Sequence, residues 1–147
     1  MIVTRRGVLI AGAGAAALMA LPATLALAQD APAPGAADEV IAKFTGGAEA
    51  AQSDAVKLTA PEIAENGNTV PISVEAEGAT EILLVAAGNP TPGVATFRFG
   101  ELAGKPAAST RIRLASTQDV IAVARMADGS FARTSANVKV TIGGCGG

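Results

Sequence analysis

One cysteine occurs in the 147-residue chain, and it lies third from the end, in Gly143-Gly144-Cys145-Gly146-Gly147. A thiol can serve as a nucleophile, a metal ligand, a disulfide partner or a covalent carrier. A nucleophile needs a base or a cation at hand to become thiolate. The chain has no histidine, and the nearest cations in sequence, Lys139 and Arg133, belong to strand-like runs upstream. Cys145 therefore reads as an ordinary, mostly protonated thiol on which other proteins act, and catalytic residues are not expected. A lone cysteine without histidine builds no metal site, and no cofactor is expected. The flanking glycines present no side chains and cost the most to order. Residues 143–147 are thus expected to form a mobile arm, with Gly143, Gly144, Gly146 and Gly147 giving it flexibility. Fully extended, such an arm spans at most about 17 Å, and nothing on it would block a narrow channel. Blander readings remain: a frayed end, a cysteine that only joins chains by an intermolecular disulfide, a remnant of cloning, or a small thiol enzyme.

The beginning of the chain says where that thiol works. Residues 1–28, "MIVTRRGVLIAGAGAAALMALPATLALA", combine a short basic start, a weakly apolar run and a small-x-small triplet at Ala26-Leu27-Ala28. This pattern predicts an export signal cut between Ala28 and Gln29. Thr4-Arg5-Arg6-Gly7-Val8-Leu9 has the form of a twin-arginine signal, with Arg5 and Arg6 as its pair. The run is long enough to span a membrane, but its Gly/Ala content, Pro22 and the cleavage triplet favour processing over a stable anchor. The expected destination is the periplasm, an oxidising space in which a lone cysteine has no internal partner.

The elements that would carry the arm follow from pattern. Residues 29–37 read as a Pro/Ala-rich leader. Next comes a short helix in "ADEVIAKFTGG", with Asp38 as cap, Val40, Ile41 and Phe44 on one face and Gly46-Gly47 as the stop. Residues 48–68 read as an extended connection with a weak helical option at 48–56. From residue 69 the apolar period is two, and seven strands are predicted, over 69–76, 81–87, 94–100, 109–115, 120–126, 131–136 and 138–142. Pro71 should place the first of these at an edge or at a strand start. Asp128-Gly129 should make a two-residue type I′ hairpin. Val138, Val140 and Ile142 should face the core. Seven short strands without intervening helices predict an all-β, immunoglobulin-like sandwich. The expected divisions are 1–28 export signal, 29–55 leader and short helix, 56–142 sandwich and 143–147 arm.

Other conspicuous residues exclude more than they suggest. The net charge is -2 with no basic run past the signal, which excludes a nucleic-acid footprint. Glu62 and Glu65 read as solvated loop carboxylates. Arg111 and Arg113 share a strand face, with Arg98 expected near, and read first as a solvated face and second as an anion or partner contact. Gly46-Gly47 lacks the context of a phosphate loop.

The stretches "PEIAENGNTVPISV" (61–74), "GNPTPGVATFRF" (88–99), "TRIRLASTQDVIAVARMADG" (110–129) and "VKVTIGGCGG" (138–147) resemble the SoxY family of periplasmic sulfur carriers in thiosulfate oxidation. The resemblance covers nearly all of the chain after the signal. It implies a carrier rather than an enzyme, paired with SoxZ as a heterodimer. It also implies that Cys145 receives thiosulfate through the haem protein SoxAX and is relieved of sulfate by the manganese hydrolase SoxB, leaving a persulfide. A sulfur dehydrogenase, SoxCD, would act where present. Ubiquitin-like sulfur carriers also end in Gly-Gly, but they work in the cytosol, at odds with an exported chain.

Overall fold

The structure, a computed structural model, describes residues 33–143; the proposed signal, with Arg5 and Arg6, and residues 144–147 lie outside that range. Helix α1 (Ala36–Thr45) is followed by nine strands: β1 (Ala50–Gln52), β2 (Val56–Thr59), β3 (Ile63–Ala64), β4 (Val70–Ala76), β5 (Ala79–Ala86), β6 (Gly93–Arg98), β7 (Ala107–Ile112), β8 (Gln118–Met126) and β9 (Phe131–Val140). Two sheets face each other, one ordered β1-β9-β8-β5-β6 with β3 also on β9, the other β2-β4-β7. This is the expected immunoglobulin-like sandwich preceded by a short helix.

Period-two burial builds the core. Val70, Ile72 and Val74 turn inward while Pro71 stays exposed. They meet Ile82, Leu84, Val120, Ala122 and Val138 from the larger sheet, with Ile112 and Leu114 at one end. Strand β5 is buried without a break from Ile82 to Ala86, because both of its faces are covered. Leu83 and Val85 point away from the sandwich and, with Val123, take Ile41 of α1. Phe44 meets Phe131 edge-on, with ring centroids 5.8 Å apart. The continuous run "ILLVA" thus reflects two apolar contacts, one per face.

Several expectations change. The helix is capped by Gly35, at φ 80° and without a side-chain bond. Asp38 and Glu39 instead occupy the first turn, where negative charge suits the helix dipole. Gly46 ends the helix in the left-handed region at φ 66°, as expected of that glycine. The connection at 48–68 is extended, but it contains three strands, and the helical option at 48–56 is not taken. β1 and β3 lie parallel on β9, at Ala50↔Phe131 and Ile63↔Lys139, and between them the chain crosses to pair β2 with β4. Their four residues or fewer leave too little alternation to read. The two strands expected at 131–136 and 138–142 are one, because Asn137 remains in the ladder opposite Asp119 and donates to its Oδ1 at 2.8 Å.

Pro71 sits beyond the reach of β2, whose last pair is Thr59↔Ser73, so its missing N–H costs no bond on that side. The 128–129 turn is a three-residue loop. Met126 N donates to Ser130 O at 2.8 Å and Gly129 N to Met126 O at 2.9 Å, with positive φ at Gly129 (85°), the pattern of a type I turn closed by a glycine bulge. Asp128 Oδ1 accepts from both Ser130 N and Ser130 Oγ, which stabilises the longer loop. Ile142 does not face the core: it is 66% exposed, because β9 ends at Val140 and the chain turns off the sheet.

Candidate functional site

The site is built where β9 delivers the end of the chain. Of the residues expected to form the arm, Gly143 is described, whereas Gly144, Cys145, Gly146 and Gly147 lie outside the described residues. Two loops receive the segment before Gly143. On one side is the β3–β4 loop. Thr141 N donates to Ala64 O at 3.0 Å, Thr141 Oγ1 to Glu65 O at 2.9 Å, and Gly67 N to Ile142 O at 2.7 Å. On the other side is the β7–β8 loop. Val140 N donates to Thr117 Oγ1 at 2.9 Å, and Gly143 lies against the carbonyl of Ala115. Leu114 N donates to Gly67 O at 2.7 Å, tying the two loops together.

The β7–β8 loop is held from behind by two side chains. Asn89 Nδ2 donates to Arg113 O at 2.7 Å, and its Oδ1 accepts from Ala115 N and from Gln118 Nε2, each at 2.9 Å. Gln118, 6% exposed, also donates to Ser116 O at 3.1 Å and accepts from Gly88 N at 2.7 Å. A side chain at Gly88 would strike Gln118 Cβ at 2.9 Å, so the glycine there makes room for this bracket. These bonds explain why β7 stops at Ile112 although residues 113–115 were expected to continue it. Leu114 is still fully buried, but its backbone belongs to the loop. Neither Asn89 nor Gln118 carried a signal of this role in the sequence, and Gln118 lay before the strand expected at 120–126, which in fact begins with it.

No charged residue bonds to the end of the chain through its side chain among the described residues; Glu65 contributes its backbone carbonyl only. The carboxylates held below their ordinary range lie elsewhere. Glu39 accepts from Lys43, Glu75 from Lys105, and Asp128 from Ser130, and each bond favours the ionised form. Arg98 is not with Arg111 and Arg113: it pairs with Glu81 at 2.9 Å, which also takes Arg125 at 3.3 Å. Arg111 lines a shallow groove of about 370 Å³ with Pro71, Ser73, Ser109 and Thr110. Among the described residues no group of three or more His, Cys, Asp or Glu could hold a metal ion, and no helix is long and apolar enough to cross a membrane.

Comparison with known proteins agrees with this geometry. The profile of the family "Sulfur oxidation protein SoxY" matches residues 41–145, a span that closes on Cys145. The solved structure of the sulfur carrier protein SoxY from Chlorobium limicola f thiosulfatophilum is 37% identical, with a TM-score of 0.64, covering 75% of this chain and 100% of that chain. Superoxide reductase (neelaredoxin) from Ignicoccus hospitalis is 15% identical with a TM-score of 0.52, covering 58% and 79%. Its T24K variant is 18% identical at the same TM-score, covering 73% and 90%. At such identities these two share the fold alone. No curated protein matches the chain. A β-sandwich, a sequence whose one cysteine is residue 145 and a family match over residues 41–145 lead to one conclusion: this protein belongs to the SoxY family of sulfur oxidation proteins, carriers of sulfur rather than catalysts.

Proposed function

We propose that Cys145 carries sulfur intermediates of thiosulfate oxidation as covalent cargo, on a mobile arm, in the periplasm. The observation that carries this reading is the position of the only thiol, third from the end of the given sequence and two residues past the segment held between two loops. In the first step the thiol sulfur bonds to the outer sulfur of thiosulfate. One proton and two electrons leave, the electrons passing to an oxidising haem partner of the SoxAX type. Water then splits the terminal S–SO3 bond on a SoxB-type hydrolase, releasing sulfate as HSO4⁻ and leaving a persulfide, Cys–S–SH. A SoxCD-type dehydrogenase would oxidise the remaining sulfur where it is present. Throughout, the sandwich keeps the intermediate tethered while successive active sites act on it.

The same reading makes SoxZ the heterodimer partner. It makes residues 1–28 a twin-arginine signal, with Arg5 and Arg6 as its pair and cleavage after Ala28. A folded pair leaving on one signal would suit that route.

Mass spectrometry of the protein from thiosulfate-exposed cells tests the proposal. Thiosulfonate or persulfide mass on Cys145 is the expected result. A disulfide dimer without sulfur adducts would replace the carrier with a cross-linked interaction module.

A further inference from the structure

We infer that Gly143 is a positioning residue clamped to the body, and that the freedom of the thiol begins after it. The inference rests on the carrier reading for its purpose, but its evidence is separate. A Cβ placed on Gly143 would run into the Ala115 carbonyl oxygen, and Gly143 has no left-handed φ. Its need for glycine is therefore one of space. Gly46 is the opposite case, with a positive φ and open space around it.

The Ala115 side of the clash does not yield easily. That residue's amide is bonded to Asn89 Oδ1, and the carbonyls on either side of it, of Arg113 and Ser116, are bonded to Asn89 and Gln118. Leu114, just before it, is buried. On the other side, the end of the chain is held by Gly67 N to Ile142 O and by the bonds of Thr141. A methyl group at position 143 would thus strain the bond from Gly67 N to Ile142 O, the nearest of those that hold the terminal segment.

The consequence is one of reach. With Gly143 fixed, the Cα of Cys145 stays within about 7 Å of it, two residue steps. If the clamp opens back to Thr141, the reach becomes about 14 Å. The clamp therefore fixes Gly143, the point from which the thiol is tethered, at the rim formed by the 64–67 and 113–118 loops.

The test compares Gly143→Ala with Gly144→Ala in the full chain, by amide exchange and by a nitroxide attached to Cys145. In Gly143→Ala, exchange at the Gly67 amide is expected to quicken roughly tenfold or more and the nitroxide spectrum to sharpen, while Val138 and Ile82 exchange unchanged. Gly144→Ala is expected to leave Gly67 exchange as in the parent. Equal Gly67 protection in all three proteins, or equal loss in both variants, would overturn the clamp. Exchange of Val138 quickening as well would assign the change to the whole sheet and overturn it too. Because both readings need no sulfur chemistry, a clamp that fails leaves the adduct measurement on Cys145 untouched, and the converse holds.

Discussion

Cys145→Ser removes the one thiol in the chain, the atom on which the proposed chemistry rests. The expected outcome is complete loss of sulfur adducts on the intact protein by mass spectrometry, with an unchanged unfolding midpoint in urea. Gln118 is the contrasting case. Its amide serves Gly88, Asn89 and Ser116 at once, in a nearly dry position. Gln118→Ala leaves Gly88 N and Ser116 O without this amide, while Asn89 Oδ1 keeps Ala115 N, and each group left unsatisfied away from water costs about 1–3 kcal/mol. With part of the bracket rehydrated, a loss of about 2–3 kcal/mol is expected from urea unfolding. A loss under 1 kcal/mol would mean that water replaces the amide without difficulty. The two substitutions separate chemistry from support: one residue is the proposed bearer of the cargo, and the other holds the loop against which Gly143 rests.

Among the elements, β5 and α1 divide the apolar work. Ile82 is fully buried between the sheets, where neighbouring strands leave no room for collapse. Ile82→Ala should cost about 2–5 kcal/mol. Ile41 fills the outer side of β5 from a helix at the surface, and that helix can settle into the gap, so Ile41→Ala should cost less. Chemical unfolding of the two variants checks the order, and equal losses would show that α1 is as tightly fixed as the strands. This division was partly legible. The alternation in "TVPISVEA" and in "TRIRL" located inward residues well, and the helical face of Val40, Ile41 and Phe44 was right. The three strands of the 48–68 connection were not legible, since segments of two to four residues draw their order from β4 and β9 rather than from their own pattern.

For the molecule entire, acidity tests how the surface charges contribute. Glu39, Glu75 and Asp128 have folded pKa values below their ordinary values of 4.5, 4.5 and 3.8, owing first to hydrogen bonds from Lys43, Lys105 and Ser130. A lowered folded pKa means that the folded state binds protons less readily than the unfolded chain. The stabilisation is therefore present above the ordinary values and is lost as pH falls through the lower folded ones. The urea midpoint should hold steady from neutral pH to about pH 5 and then drop toward about pH 3. The groups are exposed, so salt should shrink the part of this drop owed to the two lysines. A midpoint that rises on acidification would reverse the sign and remove these bonds from the account.

The chain's own order of residues determined the class of fold, the inward face of most strands and the single candidate for the sulfur-bearing atom. Alternation is a local property, and a single cysteine leaves nothing to choose between. Tertiary structure alone decided how the end of the chain is held. Ala115, Asn89, Gln118 and Gly67 are distant in sequence from Gly143, and none has a residue type that announces a clamp. A backbone carbonyl against a glycine is a matter of space between loops, and such space exists only once the two sheets have closed on each other.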